Sequence, residues 1–173
     1  MSFSFVPNCV FRRITDIKPD FLHRLGIKFL MVDTDNTLAA YGEAYPSDLV
    51  IRWVEGIKSA GIDVFIISNN VREGRVEAFS AALGVGYIKG AKKPSPKGLR
   101  RAMDQANYDP DKSALVGDQI YTDTLAANLA GITSIVIRPR RFSNPLLVIR
   151  FILEAPFRAL CLMINRKSYE QNR

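Results

Sequence analysis

Cysteine and histidine are scarce in this 173-residue chain, with only Cys9, Cys161 and the single His23. Two cysteines so far apart suggest neither a disulfide framework nor a metal cluster, and they favour a reducing compartment. His23 reads as a structural or surface residue rather than a catalytic one. Low-complexity tracts and internal repeats are absent. Pro7, Asn8, Arg12 and Arg13 interrupt the apolar residues at the N-terminus, so no signal-peptide core is expected there. Aromatic residues are not interleaved with basic ones in an RNA-binding pattern, and no nucleic-acid motif is visible.

What is present is ordinary for a soluble globular protein: 47% hydrophobic and 24% charged residues. The length suits one domain, residues 1–173, with a sizeable core. The formal net charge of +7 is compatible with nucleic acid, an anionic membrane surface or a phosphorylated substrate. Charge alone does not choose among them.

From about residue 27 to about residue 138, strand-like runs alternate with helix-like segments, which predicts repeated βαβ units. Strands are expected at 27–32, 62–67, 86–88, 114–116 and 132–137. Helices are expected at about 47–60, 72–83 and 122–130, with a further one carrying Leu99, Ala102, Met103 and Ala106 on one face. Pro19 to Leu25 predicts a short helix stopped by Gly26. The expected fold is α/β: a Rossmann-like three-layer sandwich on a five-stranded parallel sheet.

Reactive residues recur where these strands end. Asp33 and Asp35 follow the first strand, Ser68 and Asn69 the second, Lys93 the third, and Asp118 with Asp123 the fourth. Parallel topology brings all these ends to one edge of the sheet. Two acids at one strand end repel unless a cation or a phosphate partner uses them. The pattern points to phosphoryl chemistry.

The ordered set Asp33-Thr34-Asp35-Asn36-Thr37, Ser68, Lys93, and Gly117-Asp118 with Asp123 resembles the haloacid dehalogenase (HAD) superfamily of phosphatases. Four motifs in order are far more specific than any one alone. The resemblance implies that Asp33 is the nucleophile, forming an aspartyl-phosphate. It implies that Asp35 protonates the leaving oxygen and then activates water. Ser68, Asn69 and Lys93 would bind the transferring phosphate. Mg²⁺ would be held by Asp33, the backbone carbonyl of Asp35, and Asp118, with Thr37 and Asp123 in support. Thr34 departs from the apolar residue common between the two aspartates, at a position that contributes mainly backbone.

The intervals 38–67 and 69–92 leave no room for a cap domain, so an open crevice is expected, suited to a bulky substrate. A C-terminal helical extension, about residues 143–167, is largely apolar from Pro145 to Ile164. Arg150, Glu154 and Arg158 recur along it as one narrow polar stripe, and Pro156 is expected to kink or split it. Three charges and a proline argue against a transmembrane span. Arg138, Arg140 and Arg141 precede the segment, and Arg166 and Lys167 follow it. That pattern suits peripheral contact with an anionic bilayer, at the cytoplasmic face. Packing on the domain's own sheet or a dimer contact stands beside it as an equal reading.

Within the superfamily the chain most resembles the capless IIIA-type group called YqeG, related to the phosphatidylglycerophosphate phosphatases of cardiolipin synthesis. The matching residues are Gly26-Ile27-Lys28 leading into Asp33-Thr34-Asp35-Asn36-Thr37-Leu38, then Ser68-Asn69-Asn70, Lys93-Pro94, and Gly117-Asp118-Gln119 through Thr122-Asp123. This implies a phospholipid substrate, phosphatidylglycerophosphate, converted to phosphatidylglycerol. Soluble, protein-borne or nucleic-acid phosphates remain alternatives. So do a receiver-like signalling domain and a non-catalytic adaptor, though no acid follows the third strand, where receivers place theirs.

Overall fold

The computed structural model describes residues 4–71, 74–142 and 145–164. Its centre is a strand whose four residues are all buried, β2 (Phe29–Val32). Side chains alternate across a strand. Leu30 and Val32 therefore join one apolar cluster and Phe29 and Met31 the other. Burial on both faces is what a continuous apolar run in a parallel sheet requires.

On the first face lie α1 (Pro19–Arg24), α2 (Asp48–Ser59) and α3 (Arg75–Leu83). Trp53, Val54 and Ile57 of α2 and Phe79 of α3 enter that cluster. The opposite face is covered by α4 (Lys97–Ala106) and α5 (Leu125–Ala130), through Leu99, Ala102, Ala126 and Ala127. The remaining strands are β1 (Cys9–Phe11), β3 (Asp63–Ile67), β4 (Gly86–Ile88), β5 (Ser113–Gly117) and β6 (Thr133–Ile137). All pair in parallel, in the order β1-β6-β5-β2-β3-β4.

The sheet thus has six strands, where the sequence predicts five. The extra one, β1, has three residues flanked by Asn8 and Arg12, too short to show a pattern. It forms by pairing with β6, more than 120 residues away, where Cys9 faces Ile135. The chain passes from β2 outward through β3 and β4, then returns to build β5 and β6 on the other side. That reversal makes the β2/β5 boundary a switch point, where α/β sheets open a crevice at their carboxyl ends. Between β2 and β3 there is one helix, α2, and between β3 and β4 one helix, α3. No cap is inserted in either interval among the described residues. The helix expected over 72–83 begins at Arg75, and its first two positions lie outside the described residues.

The C-terminal segment forms α6 (Pro145–Ile164), one continuous helix of 20 residues. It runs on through Pro156, contrary to the expected split. Pro156 is exposed, so solvent can satisfy the carbonyl one turn earlier that its missing N–H leaves over. The helix packs against β1 and the turn 120–124, fastened by a ring cluster of Phe5, Tyr121 and Phe157. No helix among the described residues is long and apolar enough to cross a membrane. Arg166 and Lys167 lie outside the described residues.

Candidate active site

Three carboxylates meet at the switch point. Asp33 leaves β2, Asp118 leaves β5, and Asp123 lies in the single π-wound turn 120–124 that follows. Each is buried, and one oxygen of each lies within 4.8 Å of the others. Gly117 is what lets Asp123 approach so closely. A Cβ at that position would fall 2.3 Å from the Asp123 carboxyl group. Asp123 is further held by the backbone N–H of Gln119, which donates to Oδ2 at 3.1 Å.

Lys93 is the counter-charge. Its Nζ lies 2.6 Å from Asp33 Oδ1, 2.6 Å from Asp123 Oδ1 and 3.1 Å from the Ile67 carbonyl. Burial opposes its charge, but Asp123 and Asp33 outweigh that, and the ammonium is held above its ordinary value. Asn69 fixes the lysine's backbone reciprocally: Lys93 N–H donates to Asn69 Oδ1 at 2.7 Å, and Asn69 Nδ2 donates to the Lys93 carbonyl at 2.9 Å. The Lys93–Pro94 peptide is cis. Ser68 is buried, and its Oγ accepts from the Asn70 N–H at 3.1 Å. The structure therefore gathers Asp33, Lys93, Asp118 and Asp123 into one cluster. Ser68 and Asn69 follow the end of β3, Asn69 joined to the cluster through the Lys93 backbone.

Burial dominates the electrostatics of the acids. It pushes the Asp33 carboxyl up to about 7, against the opposing pull of Lys93, with Asp123 adding to the rise. Asp118 is likewise raised well above the usual carboxylate range by burial, then by Asp123 and Asp33. Asp33 Oδ2 and Asp118 Oδ1 are buried without a hydrogen-bond partner. Orphaned anionic oxygens in a buried site are costly unless a cation takes them. An all-oxygen, all-carboxylate donor set fits a hard divalent ion such as Mg²⁺. Asp33, Asp118 and Asp123 are the side chains that would hold it.

Asp35 stands apart from this trio. Its Oδ1 forms an ion pair with Arg75 at the start of α3. Arg75 also donates to the Glu43 carbonyl at 2.8 Å and the Ala40 carbonyl at 3.3 Å. It thereby ties together the loop that carries Asp35. The Thr37 hydroxyl is buried and unpartnered in the same loop.

Three further residues reach the site from α6. Arg150 approaches Asp118 Oδ2 at 3.2 Å. Glu154 Oε1 accepts from the Ile120 N–H at 2.8 Å. Arg158 donates to the Asp118 carbonyl at 2.7 Å, the Ile137 carbonyl at 2.9 Å and Glu154 Oε2 at 3.0 Å. The polar stripe thus faces the acid cluster, and the apolar side of the helix faces out. Four-residue spacing announced the stripe; nothing local announced its target, and Arg75 carried no signal at all.

A family model for haloacid dehalogenase-like hydrolases matches residues 13–131. The chain is also 35% identical over 135 residues to the "Probable phosphatase YqeG" of Bacillus subtilis (strain 168), covering 78% of each protein. The chain belongs to the haloacid dehalogenase-like hydrolases. As a HAD-family phosphatase it is a phosphomonoester hydrolase that works with a divalent metal. Solved structures share the fold. The cobalt-bound deoxy-D-mannose-octulosonate 8-phosphate phosphatase of Haemophilus influenzae aligns with a TM-score of 0.54 at 21% identity, over 72% of this chain and 74% of that one. The 3-deoxy-D-manno-octulosonate 8-phosphate phosphatase of Yersinia pestis aligns at 0.53 and 19% identity, over 86% and 88%.

Proposed function

We propose that this HAD phosphatase dephosphorylates phosphatidylglycerophosphate to phosphatidylglycerol at an anionic membrane surface, through an aspartyl-phosphate on Asp33. The observation that carries the lipid reading is the outward face of α6. Its charged side is turned inward, while Leu146, Ile152 and Met163 are 73%, 62% and 76% exposed, with Ile149, Leu153 and Ile164 beside them. So large an apolar strip on a soluble domain calls for a partner. A net charge of +7, with Arg138, Arg140 and Arg141 exposed just before the helix, supports an anionic bilayer as that partner.

In the first step an oxygen of Asp33 attacks phosphorus and the bond to the substrate's alcohol oxygen breaks. Asp35, on leaving Arg75 and taking up a proton from solvent, gives that proton to the leaving oxygen. In the second step Asp35 takes a proton from water as the water attacks the phosphoryl group, releasing phosphate and restoring Asp33. Lys93, 2.6 Å from Asp33, offsets the charge on the transferring group, with Ser68 and Asn69 positioning its oxygens. When bound, Mg²⁺ neutralises the carboxylates and the phosphoryl charge.

Liposome flotation tests the surface reading. Wild type is expected to float with anionic vesicles, and an Ile152→Glu/Met163→Glu variant to stay in the soluble fraction with aryl phosphatase activity intact. Equal recovery of both proteins in the soluble fraction would support a soluble phosphate as substrate instead. That second reading draws on the octulosonate 8-phosphate phosphatases that share the fold.

A further inference from the structure

Five arginines that take no part in the chemistry above line one cavity of about 730 Å³: Arg12, Arg13, Arg138, Arg140 and Arg141, with Thr37 on its wall. The cavity opens at the carboxyl edge of the sheet. Arg12 and Arg13 follow β1, and the other three follow β6. Leu49 and Val50, in the first turn of α2, form part of its remaining wall. The N-terminus of α2 adds partial positive charge to that side, offset by Asp48 in the same turn.

No carboxylate among the described residues lines the cavity. Among the described residues none of the five guanidiniums is ion-paired to an acid. Five like charges around one hollow repel each other unless an anion fills it. Guanidinium pairs match the oxygens of a phosphate in a bidentate way that no other side chain does.

The cavity also communicates with the catalytic loop. Thr37 lies four residues after Asp33, so the two are at most about 14 Å apart along an extended chain. The loop curls back, with Leu38 N–H bonded to the Thr34 carbonyl at 3.2 Å, which shortens the span further. Arg140 grips this loop twice, its N–H donating to the Asn36 carbonyl at 3.2 Å and its guanidinium to the Leu38 carbonyl. On the other side the cavity adjoins α6. Phe142 on its wall packs on Phe151 at 5.2 Å, and Arg138 lies over the same ring at 5.9 Å.

We propose that this cavity receives a second phosphate of the substrate, a phosphodiester joined to the phosphomonoester that Asp33 attacks. The inference rests on the lipid-phosphate reading and deepens it. The monoester enters at Asp33, the diester enters among the arginines, and the acyl chains leave along α6. A phosphodiester could come from an intact lipid or from a soluble head group. Selectivity then follows from charge count: substrates with a single phosphate leave the arginines unmatched.

The test uses the Mg²⁺-loaded enzyme and glycerophosphoglycerol, which carries the diester and no monoester. Arg12→Gln/Arg141→Gln removes two exposed charges without touching the catalytic loop. Calorimetry is expected to show binding to wild type and at least tenfold weaker binding to the variant. Under turnover, the variant's kcat/KM is expected to fall at least tenfold for phosphatidylglycerophosphate and for its deacylated, soluble form alike, and to stay unchanged for glycerol 3-phosphate. A loss with the lipid alone, and none with the soluble form, would overturn the cavity's role in reading the diester. So would wild-type behaviour of the variant, or no binding of the diester to wild type. Diester binding that the variant loses, without any turnover of phosphatidylglycerophosphate by wild type, would keep the cavity and remove the lipid reading.

Discussion

Glu154 and Ile120 are joined by a 2.8 Å hydrogen bond from the backbone N–H of the turn to the carboxylate of α6. Through it and the neighbouring Arg158 bonds, the C-terminal helix grips the segment that delivers Asp118 and Asp123. Both charged partners are buried: Glu154 is inaccessible and Arg158 only 8% exposed. Arg158→Met would remove the 3.0 Å partner of a buried carboxylate, leaving Glu154 with only Arg150 at 3.7 Å and the Ile120 N–H, at a cost of about 3 kcal/mol. Urea unfolding is expected to show that loss. A destabilisation under 1 kcal/mol would mean the helix is not anchored this way.

Gly117→Ala targets the acid cluster directly. The added Cβ would meet the Asp123 carboxyl group at 2.3 Å, so Asp123 must move. Apparent Mg²⁺ affinity, from metal titration of turnover, is expected to weaken about 10- to 100-fold. Circular dichroism should remain that of the wild type. Unchanged metal dependence would remove Asp123 from the metal site.

In the proposed mechanism Asp35 serves both halves of the reaction. An alkyl phosphomonoester needs a proton on its leaving oxygen, whereas nitrophenolate departs without one. Asp35→Asn is expected to slow alkyl ester cleavage by about 10²- to 10⁴-fold. With nitrophenyl phosphate the same variant should give a burst of product, stoichiometric with enzyme, because the phosphoenzyme then lacks its base. Equal losses with both esters and no burst would assign Asp35 a structural role.

Burial raises the Asp33 carboxyl to about 7 and raises Asp118 as well. Between about pH 4 and pH 7 the metal-free folded state therefore holds more protons than the unfolded chain, and stability falls as pH rises through that window. The melting temperature without metal is expected to drop from pH 5 to pH 8. Mg²⁺ binds the ionised carboxylates, so it should raise the melting temperature more at pH 8 than at pH 5. A flat profile in the absence of metal would contradict the burial of these acids.

The core of the fold was legible because its signals are local. Phe29 to Val32 is an apolar run long enough for one strand, and Gly61 and Gly131 mark where helices stop. The motif residues could be read together because parallel strands bring their ends to one edge. What stayed hidden depends on partners far along the chain. Cys9 to Phe11 becomes a strand only by pairing with β6. Arg75 acquires meaning only when α3 meets the Asp35 loop. The stripe of Arg150, Glu154 and Arg158 was visible as spacing, yet its direction is set by unpaired groups at the end of β5. Those groups reward the charged face, so the helix turns its apolar side outward. The five arginines were likewise scattered between residues 12 and 141 until β1 paired with β6.

The most direct measurement is phosphate release from phosphatidylglycerophosphate in mixed micelles with Mg²⁺, beside an Asp33→Asn control and a soluble aryl phosphate. The account predicts metal-dependent turnover of the lipid well above that of the aryl ester, and none by the Asp33→Asn enzyme, which stays folded. Turnover of the aryl ester alone would contradict the lipid substrate, and wild-type turnover by Asp33→Asn would contradict the aspartyl-phosphate itself.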